Sequence, residues 1–366
     1  MRPATEEELC EIVRNASGPL VVRGGGTRSI GRLVIGDMLE TTGLTGITLY
    51  EPGALTLVAQ AGTPLVDVVD ALGKEGQRLP FEPMDMRALL GSQGTPTVGG
   101  MVAVNASGPR RVQAGACRDS LIGVRFVDGA GAIIKNGGRV MKNVTGYDLV
   151  KLMAGSWGTL GVLSECAFKL LPVPEAEITL VSDSKSPAEA VAIMAQALGT
   201  PYEVNGAARG DDGCVALRIE GFAQQVAYRR EALKSVLGGD WAVLEGEKSQ
   251  THWRSIRDVV AFSERAGDVW RISVKPSDAP EIVARANCPV VLDWGGGLVW
   301  ALSPAGSDLR KRLGAFQGHA TLVRGSESTR ASLPVFHPEP AIVAGLAQGL
   351  RARFDPRGIL NPGLMG

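Results

Sequence analysis

Apolar positions along this chain recur at changing intervals, and the intervals predict its elements. Thr5-Glu6-Glu7-Glu8 reads as a capping box, with Thr5 at the N-cap and Glu8 reaching back. Leu9, Ile12 and Val13 then form the buried stripe of a first helix. Leu20-Val21-Val22 is a brief strand running into the loop 23–28, and 56–60 alternates as a half-buried strand does. Thr63-Pro64 predicts a helix start, Thr63 as N-cap and Pro64 at the first helical position, with Leu65, Val66, Val69 and Leu72 on one face. Residues 124–127, the turn Asp128-Gly129-Ala130-Gly131 and residues 132–134 predict a hairpin.

A strand-like stretch over 166–171 meets Pro172 and Pro174, and the texture changes there. Strands are expected over 178–181, 214–219, 269–274, 290–293 and 298–302, with helices over 187–198 and 223–237. His252 is expected to open an amphipathic helix carrying Trp253, Ile256 and Val260. A last helix over 340–354 precedes a turn-rich tail. Strands and helices alternating at this spacing predict an α+β fold whose second part is built on a mainly antiparallel sheet. The expected division places one domain at 1–172, a second at 173–335 and a C-terminal segment at 336–366.

At 366 residues the chain is long enough for two lobes and a large core. Lys plus Arg and Asp plus Glu both number 38, and no basic stripe with interleaved aromatics occurs, which argues against a nucleic-acid partner. The N-terminus is acidic where a signal peptide is basic, and no apolar run nears the ~20 residues that span a bilayer, so no direct membrane insertion is expected. The five cysteines lie far apart with no Cys-x-x-Cys pair. That spacing supplies neither an iron–sulfur ligand set nor a zinc site, and it fits a reducing, cytoplasmic compartment.

The 48 glycines are densest before residue 165, in three segments. In the first, Arg23-Gly24-Gly25-Gly26-Thr27-Arg28 follows a strand, and its successive N–H groups can turn toward one point as a nest for phosphate oxygens. Taken alone it reads more readily as an ordinary Gly-rich turn. The second, 94–108, is dominated by small residues and carries Thr95, Thr97, Gly99, Gly100, Asn105, Ser107 and Gly108. A helix starting near Val98 would offer its N-terminus to a diphosphate; the alternative is tight helix packing. In the third, Asp148 stands as an N-cap, Gly155 as the residue past the helix end, and Gly158, Gly161 and Val162 can set main-chain groups against a heterocycle edge.

Each segment is weak by itself, but their order and spacing are specific. Together with the tail Asp355-Pro356-Arg357-Gly358-Ile359-Leu360-Asn361-Pro362-Gly363, they resemble the FAD-binding domain of the vanillyl-alcohol-oxidase superfamily, also called the PCMH type. The resemblance implies a two-subdomain FAD-binding domain followed by an α+β cap, with 336–366 returning to the FAD domain. It narrows to the smaller FAD-binding subunit of bacterial glycolate oxidase on 106–111, 140–149, Trp270-Arg271-Ile272-Ser273, Asp293-Trp294-Gly295-Gly296 and Gly318-His319-Ala320-Thr321. This narrower resemblance implies a complex with a larger homologous flavin subunit and an iron–sulfur subunit, oxidising glycolate or D-lactate to the 2-oxo acid. It also implies that 23–28 hold the diphosphate, and that Thr95 to Gly100 with Asn105 to Gly108 lie beside the flavin and ribityl. Gly158 to Val162 would run along the adenine or the flavin side, and Asn361 would sit near the flavin.

The departures from that family matter as much. The three histidines, His252, His319 and His337, all lie outside the FAD domain, and Thr27 stands where covalent relatives often carry a His. FAD is therefore expected to be non-covalent. The Glu-His-Gly motif of superfamily members that oxidise 2-hydroxy acids is missing, and no metal site is expected. His319 remains as a candidate general base, with Arg271 and Arg324 as candidate cations for a substrate carboxylate. The alternative is that His319 is a packed residue and both arginines form surface pairs. Two functions stay open: a subunit supporting a larger catalytic relative, which the missing motif favours, or an independently active dehydrogenase. A flavin reductase of cell-wall sugar synthesis, which shares the fold, is more remote because of the tail.

Overall fold

The computed structural model describes residues 1–138 and 146–366, so residues 140–145 of the quoted segment 140–149 lie outside the described ones. The first helix, Glu6–Asn15, is capped as expected by Thr5, whose hydroxyl accepts from Glu8 N. Glu8 reaches back one residue further than the box predicts, accepting from Ala4 N at 2.7 Å. Leu9 and Val13 are fully buried. On the same helix, Glu6 takes bonds from Arg125 and from Ser164 Oγ, tying it to the sheet behind.

That sheet has five antiparallel strands in the order Ile47–Glu51, Thr56–Gln60, Val162–Lys169, Leu121–Val127 and Ile133–Gly137. The hairpin at 124–134 is present, its turn held by Asp128 Oδ1 accepting from Ala130 N and Ala132 N. The helix after Pro64 is Leu65–Lys74, but Thr63 does not cap it. The Thr63 hydroxyl instead bonds Gly46 N and Gly46 O. The inward face is consequently Leu65, Val68 and Leu72, while Val66 and Val69 stay about half exposed. Beside this sheet, Leu20–Arg23 pairs in parallel with Asp37–Glu40, and Leu20 bridges to Leu360 of the tail.

The second part of the chain builds an eight-stranded antiparallel sheet, in the order Ala242–Glu245, Ala176–Ser184, Cys214–Gly221, Gly206–Arg209, Val290–Asp293, Leu298–Ser303, Asp268–Val274, Gly318–Arg324. Every pairing in it is antiparallel, as the α+β reading expects. The helices Pro187–Leu198 and Ala223–Leu237 fall where the periodicity places them. His252 does not open its helix but lies inside Glu247–Arg257, and Val260 is outside it and exposed.

Alternation along the strand Cys214–Gly221 decides what the two faces of this sheet do. Val215, Leu217 and Ile219 enter the large core under the helices. Arg218 and Glu220 point the other way, toward the N-terminal lobe. There Arg218 donates to Glu82 at 2.8 and 2.9 Å, and Arg78 donates to Glu220 at 2.8 and 3.1 Å. Arg110 joins both carboxylates, donating to Glu220 at 3.0 and 2.5 Å and pairing with Glu82 at 3.2 Å. Asn205 accepts from Arg218 Nε and donates to Glu220. Residues from both lobes thus share one buried lattice of charge-assisted bonds. Burial alone would raise both carboxyls, but the facing guanidiniums outweigh it and hold Glu82 and Glu220 below the usual range.

Glu177 lies directly opposite Glu220 on the neighbouring strand. Burial first, and that like charge, push its carboxyl up to about 7. An acid raised in the folded state holds its proton longer than in the unfolded chain, so between about 4.5 and 7 stability falls as pH rises. Glu177→Gln is expected to flatten that limb in urea unfolding measured pH by pH. Glu220→Gln leaves buried arginines short of a counter-ion and is expected to cost about 3–5 kcal/mol of unfolding free energy, read in the same titrations.

Candidate functional site

The strand Leu20–Arg23 delivers the loop 23–28 into a cleft of about 330 Å³. Asn361 is the staple beneath it. In a left-handed conformation with φ 45°, it accepts from Val22 N at 2.8 Å and donates to Trp157 O at 2.9 Å. One side chain of the tail therefore fixes both the glycine loop and the turn 156–161.

The two glycine segments face each other across the cleft floor, and their glycines are required by that contact. A Cβ on Gly25 would lie 1.5 Å from Thr95 O, and one on Gly94 would lie 1.7 Å from Gly25 O. A Cβ on Gly24 would meet Thr97 Oγ1 at 2.5 Å, and one on Gly99 would meet Ala61 Cβ at 2.7 Å. Tight backbone packing and ligand approach are one device here: loops without side chains leave their N–H groups bare. Gly25 to Arg28 donate to no backbone acceptor among the described residues.

The helix Val98–Ala103 begins where expected, capped by Thr97, but its N-terminus is not free for a diphosphate. Val98 N donates to Thr63 O, Gly99 N to Ala61 O and Gly100 N to Thr97 Oγ1. The donors that an anion would use are already spent on the protein.

Of the residues singled out in the sequence, Arg23, Gly24, Gly25, Gly26, Thr27, Arg28, Thr97, Gly99, Gly100, Gly158, Gly161 and Asn361 line this cleft. Thr95 stands behind Gly25. Val162 is completely buried, because alternation along its strand turns it into the core beside Leu20 and Leu360. Asn105, Ser107 and Gly108 lie away from the cleft lining. Asn105 Oδ1 accepts from Arg118 N, Ser107 Oγ accepts from Cys117 N, and Gly108 O accepts from Trp294 Nε1.

Other lining residues include Ser156 and Trp157, between Gly155 and Gly158 of the third segment, and Arg330, which carries no sequence signal for that role. Trp157 holds the left-handed region at φ 56° and packs edge-on against Phe336, ring centres 5.1 Å apart. A bulky residue there is strained, and such strain clusters at functional sites. Arg330 comes from the second part of the chain and donates to Ser29 O. Among the described residues, six buried side-chain N or O atoms lack a partner, and three of them, Arg28 Nε, Ser156 Oγ and Arg330 Nε, line this cleft. Buried polar atoms are almost always satisfied, so this concentration points to a polar, anionic ligand between them.

The three proposed catalytic side chains divide. Arg324 donates to Gly267 O, Leu89 O, Phe262 O, Ser263 O and Arg265 O, which leaves its guanidinium no free edge for a carboxylate. Its role is to tie loops together. Arg271 and His319 share one face of the sheet, since Ser273 lies two residues from Arg271 and directly opposite His319. Burial first, then Arg271, His337 and Arg111, lower the His319 pKa, so its imidazole is neutral near pH 7. His337 is a joint, its Nδ1 accepting from Ala320 N.

Compared with known proteins, residues 1–137 match the family described as FAD binding domain. The chain is 37% identical over 350 residues to glycolate oxidase subunit GlcE of Escherichia coli (strain K12), covering 95% of this chain and 92% of that one. It belongs to the GlcE family of glycolate oxidase subunits. Over 186 residues, 49% of this chain and 38% of the other, it is 33% identical to glycolate oxidase subunit GlcD of Bacillus subtilis (strain 168). A solved alkyldihydroxyacetonephosphate synthase superposes with TM-score 0.70 at 15% identity, covering 99% of this chain and 76% of that one, and shows the shared fold. FAD is the cofactor of this domain family, and the cleft fits it: bare loop N–H groups, two half-paired arginines and an orphaned hydroxyl.

Gly25→Ala is expected to push the two loops apart and abolish flavin retention, with far-UV circular dichroism unchanged. Flavin content equal to wild type in the purified variant overturns that assignment.

Proposed function

We propose that this chain is the FAD-binding subunit of a membrane-associated complex that oxidises glycolate, or D-lactate, to the 2-oxo acid beside a larger homologous flavin subunit. The observation that carries it is the convergence of Arg28, Ser156 and Arg330 with unpaired buried atoms on one glycine-floored cleft. Kinship with a glycolate oxidase subunit over nearly the whole chain supports the substrate class and a heteromeric partner. An iron–sulfur subunit completes the complex in this reading. Among the described residues no helix is long and apolar enough to cross a membrane, so attachment would be through partners.

In this reading, residues 1–172 with 336–366 hold the cofactor, and 173–335 form the cap over it. The bare N–H groups of 25–28, with Arg28 and Arg330, bind the diphosphate non-covalently. Trp157, Gly158 and Gly161 flank the ring system, and Asn361 keeps both loops in register beneath it. When bound, FAD supplies a two-electron acceptor for the hydride of a 2-hydroxy acid. His319, neutral near pH 7, accepts the hydroxyl proton within this chain.

Because the Glu-His-Gly motif is missing, the larger subunit carries most of the turnover. His319→Ala in the assembled complex is therefore expected to lower glycolate oxidation less than ~10-fold, below the 10²–10⁴ usual for a general base. A purified wild-type chain that shows no flavin absorbance and takes up none when incubated with FAD sinks the proposal.

A further inference from the structure

Most buried or half-buried arginines of this protein have an evident structural occupation. Arg324 and Arg310 are taken up by backbone carbonyls, and Arg110 and Arg218 by carboxylates. Arg111 and Arg271 differ. Among the described residues neither guanidinium makes a hydrogen bond, and no carboxylate lies within 4.0 Å of either, although both are partly buried. Both lie on the indole of Trp294 instead, with Cζ 4.4 and 5.1 Å from the ring centre.

The nearby acids do not neutralise them. Asp119 pairs with Arg118 and accepts from Ala116 N. Asp293 is buried, accepts from Trp294 N, and has its carboxyl pushed up to about 7, chiefly by burial. Trp294 is itself held in the left-handed region at φ 54°, and its Nε1 donates to Gly108 O of the N-terminal lobe. A strained indole anchored across the lobes presents two guanidiniums with their hydrogen-bonding edges unused. Stacking satisfies a guanidinium face and leaves its N–H fork in the plane. Two such forks on one indole can each donate to a carboxylate.

We propose that Arg111 and Arg271, braced on Trp294, are a carboxylate clamp belonging to this chain, which takes a small planar mono- or dicarboxylate beside His319. The clamp deepens the functional reading above, on which only the identity of the carboxylate as substrate or product rests. Arg271 projects from the same sheet face as His319, so a carboxylate in the clamp has its adjacent hydroxyl carbon on the imidazole side. The adjoining arginines 110 and 111 therefore serve different ends, the first joining the lobes and the second receiving a ligand.

The test is titration calorimetry of oxalate into the purified full-length chain, with flavin content measured on the same samples. Wild type is expected to bind saturably at one site, and Arg111→Met or Arg271→Met to weaken binding about tenfold or more, as loss of a charge-assisted bidentate bond requires. Arg111→Lys, which keeps the charge without the fork, is expected to fall between, and guards against a misfolded Met variant. Arg118→Met, an exposed arginine nearby, is expected to bind as wild type. Absence of saturable binding in wild type, or equal binding in all variants, overturns the clamp. Oxalate binding by a chain without flavin would sink the FAD reading and leave the clamp standing.

Discussion

Arg78, Arg110 and Arg218 share Glu82 and Glu220 in a setting with little water, and the rest of the molecule is arranged around that exchange. Each lobe alone would strand a buried charge: Glu82 with Arg78 and Arg110 on one side, Arg218 with Glu220 on the other. Leaving any of them uncompensated is expensive, so the lobes are held in one relative placement. Replacing the whole lattice by apolar side chains need not weaken the fold, which makes placement rather than stability its plainest service. Trp294 Nε1 reaching Gly108 and Arg330 reaching Ser29 depend on that placement.

With the lobes fixed, the glycine-floored cleft and the face carrying Arg111, Arg271 and His319 become separate problems solved by different chemistry. The cleft is built by removing side chains. Gly24, Gly25, Gly94 and Gly99 allow two backbones to touch, and the bare N–H groups of one loop are the by-product. The other side is built by adding side chains that the fold leaves partly unpaired: Arg111 and Arg271 on Trp294, and a His319 whose pKa is lowered first by burial and then by its positive neighbours. Electrostatics link the two sides. A cation-rich wall disfavours a protonated imidazole and favours an anion, and these are the two conditions a proton acceptor beside a carboxylate needs.

Arginine usage shows how far residue type alone can be read. Arg271 and Arg324 look alike in sequence, each inside an apolar strand. The structure gives Arg324 five carbonyl acceptors and Arg271 none. The carbonyls belong to a loop end, a short helix and a strand start that are distant in the chain, so no local pattern announces them. Arg111 is hidden for the complementary reason: its neighbour Arg110 carries the lattice, and nothing in a pair of arginines says which will stack.

What the chain determined by itself was everything that depends on short range. The caps at Thr5, Thr97 and Asp148, the hairpin at Asp128, the helices Pro187–Leu198 and Ala223–Leu237, and the glycine loop after a strand all arise from periodicity, capping and φ preference within a few residues. Tertiary structure decided whatever depended on a competing acceptor or a distant neighbour. Thr63 bonds Gly46 instead of capping, the N-terminus of Val98–Ala103 is satisfied by 61 and 63, and Val162 turns inward. The glycine-floored cleft gains Arg330 from the far lobe, and Arg111 and Arg271 are brought together on Trp294. A polar group bonds the partner that folding brings nearest, and in a two-lobed chain that partner is seldom its neighbour in sequence.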